Sequence, residues 1–111
     1  KIWGNSTEQN GGGVHVFQGG EVRNCVITEN CGTNRGGGVA ILETGTVRRC
    51  LIAYNKTEAL WPEGLGGGVH LEGGQAIVEN CHIMYNRASD RGGGIAVTDA
   101  GLIASVLSGV Y

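Results

Sequence analysis

Residues Gly36 to Asn55 read GGGVAILETGTVRRCLIAYN, and this stretch returns along the whole chain. It recurs as GGGVHVFQGGEVRNCVITEN from Gly11, as GGGVHLEGGQAIVENCHIMYN from Gly66, and as GGGIAVTDAGLIASV from Gly92. The glycine-rich starts at 11, 36, 66 and 92 lie 25, 30 and 26 residues apart. Ahead of the first full copy, Ile2-Trp3-Gly4-Asn5 matches the tail of another. Self-similarity at a fixed period marks a repeat architecture, in which a unit buries its apolar face only against its neighbours.

Within each unit the apolar residues alternate: Val14 with Val16, Val39 with Ile41, Val69 with Leu71, Ile95 with Val97. Period two means a strand with those side chains on one face. A glycine turn follows, then a second short strand carrying Val22, Val47, Val78 and Ile103. The interval from Val22 to Ile27 is odd, so alternation alone cannot bury both and the chain must bend between them. Asn24 and Asn80 suit that bend, because asparagine tolerates left-handed backbone angles. Beyond it Cys25 and Ile27, Cys50 and Ile52, and Cys81 and Ile83 turn inward together.

Each unit therefore reads as three short strands and three corners, and stacking units superimposes equivalent residues at the strand spacing of about 4.8 Å. The expected interior columns are Val14/Val39/Val69/Ile95, Val16/Ile41/Leu71/Val97, Val22/Val47/Val78/Ile103, Cys25/Cys50/Cys81/Val106 and Ile2/Ile27/Ile52/Ile83. Asn5, Asn30, Asn55 and Asn86 fall in register after the last column, where their amides can form a hydrogen-bonded ladder. Glycine triplets and β-branched pairs oppose a helical repeat. The fold predicted is all-β, a right-handed single-stranded parallel β-helix of the pectate-lyase-like solenoid type. It has about four coils of roughly 25 residues in a single domain spanning 1–111.

The pairing of a Gly-Gly-Gly-(Val/Ile) start with an Ile-x-x-Asn ending resembles the repeats of chlamydial polymorphic outer-membrane proteins. It is similar, too, to those of many bacterial secreted right-handed parallel β-helix proteins. The chlamydial form has Gly-Gly-Ala and Phe-x-x-Asn, so Ile2, Ile27, Ile52 and Ile83 stand here in place of phenylalanine. The resemblance covers nearly the whole chain and implies cell-surface display or adhesion. Lyases, hydrolases, adhesins and phage spikes share such folds, so the fold alone does not choose among them.

Composition narrows the classes. Glycine supplies 22 of 111 residues, far above the usual level of about 7%, yet the apolar content is ordinary, which separates the chain from a disordered linker. A formal net charge of −2 argues against a nucleic-acid or anionic-membrane partner. No apolar run is long enough to span a bilayer. The chain opens at Lys1, inside a repeat, which points to a processed product, an excised piece or an incomplete chain.

Ser6–Asn10, Cys31–Arg35 and Arg87–Arg91 are equivalent five-residue corners, whereas residues 56–65 (KTEALWPEGL) fill the same corner with ten. Residues 1–10 thus form a partial coil, and 56–65 is a corner insertion carrying Trp61. Corner insertions can be binding surfaces, or inert loops whose aromatic folds back on the coil. The third unit carries one extra residue near Gln75–Ala76, the signature of a bulge or a longer turn. Neither end shows a polar cap, and uncapped strand edges invite pairing with another chain.

Of four cysteines, Cys25, Cys50 and Cys81 share one interior column while Cys31 sits in a corner. In-register side chains run parallel, an awkward dihedral for a disulfide, so buried thiols are expected, with a Cys25–Cys50 or Cys50–Cys81 bridge as the alternative. No histidine joins the column, so no metal and no cofactor are expected.

The outward positions of the first strand include His15, Ala40, His70 and Ala96, then Phe17, Leu42, Glu72 and Thr98. His70 and Glu72 share a face and are expected to be solvated. A polysaccharide lyase or hydrolase needs clustered carboxylates, and no acidic column faces outward. On the third strand Val26, Leu51, His82 and Leu107 should point outward beside Thr28, Ala53 and Met84, a strip suited to protein contact. Asn5-Ser6-Thr7 and Asn55-Lys56-Thr57 match the glycosylation sequon, but both asparagines belong to the ladder. The first functional expectation is a secreted, non-catalytic structural or adhesive module at the cell surface. It would self-associate into a surface fibre, or contact other proteins, through coil ends or the Val26/Leu51/Leu107 strip. The alternative is a carbohydrate-binding or polysaccharide-degrading β-helix with a groove over His70 and Glu72 walled by the Trp61 loop.

Overall fold

The structure is a computed structural model that describes residues 1–60 and 64–98, with backbone alone for 102–108. Its strands in chain order are β1 (Ile2–Trp3), β2 (Ser6–Thr7), β3 (Val14–Phe17), β4 (Glu21–Arg23), β5 (Val26–Thr28) and β6 (Cys31–Gly32). They continue with β7 (Val39–Arg48), β8 (Leu51–Ala53), β9 (Lys56–Thr57), β10 (Val69–Met84), β11 (Ile95–Thr98) and β12 (Leu102–Ser108). Every pairing among them is parallel. Among the described residues no helix is long and apolar enough to cross a membrane.

The registers place like residues on like. Val14 pairs with Val39, Val39 with Val69 and Val69 with Ile95. Val22, Val47, Val78 and Ile103 follow one another on the second strand, as Ile2, Ile27, Ile52 and Ile83 do on the third. Ile27, Val39, Ile41, Val47, Ile52, Val69, Leu71, Val78 and Ile83 are fully buried in one apolar cluster. Burial fades along the outer coils: Val14 is half-buried and Val97, although in register, is 40% exposed. An outer coil has a described neighbour on one side only. The extra residue of the third unit is a register shift between Glu72 and Gln75 against β7.

Residues in left-handed backbone conformations turn the corners. Asn24, Arg49 and Asn80 have φ of 54°, 53° and 51° at the bend expected before the cysteines. A second such column, which the alternation did not reveal, follows the third strand: Gly4, Glu29, Tyr54 and Tyr85, with φ of 68°, 56°, 59° and 55°. The glycine triplet combines three distinct needs. Gly36 sits at φ 67°, a region that side chains disfavour. A Cβ on Gly37 would collide with the carbonyls of Lys56 and Gly67, and one on Gly38 would reach the Asn55 amide at 2.9 Å. The triplet thus lets three successive backbones approach at one corner.

The asparagines close the corner opposite. Asn5, Asn30 and Asn55 each donate Nδ2 to Oδ1 of the next, at 3.2, 3.0 and 3.0 Å. The same Oδ1 atoms accept the backbone N–H of the preceding asparagine, as from Asn30 to Asn55 at 3.0 Å. Nδ2 of Asn55 and Asn86 also donates to the Ile27 and Ile52 carbonyls, both at 2.9 Å. The ladder therefore satisfies buried backbone groups at a corner as well as linking side chains.

The five-residue corners and the ten-residue insertion keep common ends. Cys31 pairs with Lys56 and bridges continue to Arg87, while Asn10, Arg35, Leu65 and Arg91 align at the far side. The insertion is carried by Gly64 and Leu65, whose N–H groups both donate to the Asn34 carbonyl, at 2.7 and 3.0 Å.

Candidate functional site

The first strand's outer face was expected to be solvated at His70, and there the structure differs: the His70 side chain is completely buried. Alternation told correctly which side of the sheet it leaves from. Coverage is decided by residues of other coils. Ala40 and Ala96 flank it in register and leave room for the ring to lie down. Arg35, from the corner below, reaches the Glu72 carboxylate at 2.5 Å. Glu72 Oε1 lies 3.4 Å from His70 Nε2, and the Thr98 hydroxyl stands 3.4 Å from that nitrogen and 3.3 Å from Oε1. His70, Glu72, Arg35 and Thr98 are one network in which the carboxylate carries a cation partner. Thr98 is the in-register neighbour of Glu72 in the outward column read from the alternation, whereas Arg35 was not among the expected site residues, because its link to Glu72 crosses coils from a corner.

Beside this network a cleft of about 330 Å³ is lined by Leu65, Arg91, Gly92, Ile95, Ala96, Val97 and Thr98. A second recess of about 360 Å³ lies at the insertion, formed by Lys56, Thr57, Glu58, Arg87, Ala88 and Ser89. In it Lys56 Nζ is 2.8 Å from Glu58. Their hydrogen bond and mutual charge raise the Lys56 amine and lower the Glu58 carboxyl. Trp61, expected as a binding residue of this corner, lies outside the described residues.

The outer strip of the third strand is present in part. Val26 and Leu51 are 37% and 36% exposed, His82 is exposed in register with Leu51, and Leu107 occupies the next register position. The Leu107 side chain lies outside the described residues. Thr28 and Ala53, expected to point outward beside the strip, are buried; small side chains are roofed by the coils above and below. What extends the strip instead is aromatic. Tyr54 is 60% exposed and stacks on Tyr85 with ring centroids 5.1 Å apart and planes 12° apart. Trp3, 59% exposed, carries Lys1 Nζ 5.3 Å above its ring. The equivalence of Tyr54 and Tyr85 within Ile-x-x-Asn was the signal available in the sequence for this pair.

All four cysteines are free. Cys50 and Cys81 are buried, and each thiol donates to carbonyls: Cys50 to Arg48 at 3.3 Å, Cys81 to Glu79 at 3.3 Å. The neighbouring Cys81 thiol, then burial, pushes Cys50 far above its ordinary value, while the neighbouring Cys50 thiol draws Cys81 down against its own burial. In the corner, burial and then Glu58 raise the Cys31 thiol.

An all-parallel sheet curled on itself around one apolar shaft, with an asparagine ladder at a corner, defines a β-helix. Residues 1–107 match the family described as right handed beta helix region, and the chain belongs to that family. No curated protein and no solved structure matches it.

Proposed function

We propose that the chain is a non-catalytic structural or adhesive module of about four coils, displayed outside the cell and self-associating through its outer strip or coil ends. The observation that carries this reading is the exposed apolar and aromatic band formed by Val26, Leu51, Tyr54, Tyr85 and Trp3, each at least 36% exposed. Residues repeated at one position on adjacent coils make a flat, continuous contact surface, and such patches favour association. The likeness of the repeat ending to chlamydial surface proteins supports surface display. The His70 network favours the same side of the choice: its single carboxylate is paired with Arg35, whereas glycoside hydrolysis by the usual route requires two.

Sedimentation velocity across a concentration series tests the proposal. A chain that self-associates gives larger species as concentration rises, and the double variant Val26→Asp/Leu51→Asp stays monomeric. A wild-type chain that remains monomeric throughout overturns the reading.

A second reading, binding or cleavage of a glycan, is favoured by the cleft that Thr98 helps to line, since the Thr98 hydroxyl also contacts His70 and Glu72. Incubation with acidic polysaccharides, comparing wild type with Glu72→Gln, distinguishes it. Cleavage that the variant loses would replace the structural reading.

A further inference from the structure

We propose that the stacked thiols of Cys25, Cys50 and Cys81 form a site for one soft, linearly coordinated divalent metal ion, Hg(II). Val26 pairs with Leu51 and Leu51 with His82, so the three cysteines immediately before them lie in file on successive coils. Parallel strands set equivalent atoms about 4.8 Å apart. That separation is far longer than the disulfide bond of about 2.05 Å, which would require the backbones to move. It is close to twice a metal–thiolate distance of about 2.3 Å, the span of a sulfur–metal–sulfur line. Soft thiolates select soft ions. Among the described residues no three metal-binding side chains converge on one point, so the column lacks the tetrahedral set that zinc takes.

The chemistry suits an apolar shaft. With Hg(II), two S–H bonds break, two Hg–S bonds form, both protons leave to solvent, and nothing is oxidised or reduced. The product is neutral, so no net charge is buried. The ion enters from the Cys25 end, where the thiol is half-buried, rather than at Cys81, which is buried. Because Cys50 is shared by both possible pairs, the column holds one ion, not two.

The test uses the reduced chain carrying Cys31→Ser, which removes the corner thiol. The mercuric ion is added, excess monothiol and desalting remove loose metal, and bound mercury is counted per chain while the thiolate-to-metal absorbance is recorded. One equivalent is expected in Cys31→Ser and in its combinations with Cys25→Ser or Cys81→Ser, each of which leaves one adjacent pair. Loss of the ion is expected with Cys50→Ser and with Cys50→Ala, each checked for its fold by circular dichroism. Zinc offered in the same way is expected to wash out. The proposal is overturned if the Cys31→Ser chain retains no mercury or more than one equivalent, if Cys50→Ser retains it as firmly as Cys25→Ser, or if removing either end cysteine abolishes it.

Discussion

Replacing Asn55 by alanine removes two hydrogen bonds accepted from Asn30 and the two N–H groups of Nδ2, which are shared among the Ile27 and Ala53 carbonyls and Asn86 Oδ1. Asn30, whose backbone N–H loses its acceptor, is 1% exposed, as is Asn55, so water cannot take over. An orphaned buried donor costs about 1–3 kcal/mol and each ordinary bond about 1 kcal/mol net. Some partners keep a second bond: Asn30 Nδ2 still reaches the Ile2 carbonyl and Asn86 Oδ1 still accepts the residue-55 amide. The expected loss is therefore about 3–5 kcal/mol, a large part of the roughly 5–15 kcal/mol that holds a domain together. Asn5→Ala is the internal control. That residue is exposed, and its side chain makes a single ladder bond, to Asn30 Oδ1, so about 0.5–1.5 kcal/mol is expected. Urea unfolding followed by circular dichroism, with a common slope, measures both. If the two variants differ by less than about 1 kcal/mol, the ladder does not satisfy the corner backbone as argued.

Gly37→Ala should abolish folding, since its Cβ would sit on two backbone carbonyls, while Gly74→Ala, which meets nothing within 4 Å, should leave the urea midpoint nearly unchanged. Disulfide-exchange labelling of the native chain should modify Cys31 and Cys25, both half-buried, and spare Cys50 and Cys81 until unfolding. Because burial and Glu58 raise the Cys31 thiol, its rate should keep increasing at pH values where a free thiol has levelled off. Glu58 has a depressed folded-state value; any stability it confers is present above its unfolded pKa and lost as pH falls through the lower folded one. The Lys56 pair is surface-exposed, so Glu58→Gln should leave both the midpoint and its acid dependence unchanged within error.

The columns were legible because period-two alternation and a fixed repeat length together determine which residue lies on which. Asn24 and Asn80 announced their bend because asparagine tolerates left-handed angles; Arg49, in the same conformation at φ 53°, did not, since its neighbours on the stack impose it. Tyr54 and Tyr85 were hidden for the same reason. Two tyrosines in left-handed conformations contradict local preference, and the stack overrides it. His70 failed differently. Its direction was read correctly, but exposure depends on what arrives from elsewhere, and Arg35 arrives across 37 residues of chain.

This difference locates where function can be read in a stacked chain. Positions that repeat from coil to coil, such as Gly37, Asn55 and Ile52, are constrained by their copies above and below, and their chemistry is consumed by the stack. Positions that break the repeat are not so constrained. His70 between two alanines, the ten-residue corner among five-residue ones, and a tyrosine pair where the earlier coils carry glycine and glutamate are such breaks. Two of them lie beside recesses and the third belongs to the exposed band. A substitution at a break should therefore alter binding or assembly at little cost in stability, unless, as at His70, a neighbouring coil has already enclosed it. Comparing Tyr85→Ser with Asn86→Ala separates the two cases. The first should weaken association while leaving the urea midpoint near wild type, and the second should lower the midpoint before association can be measured.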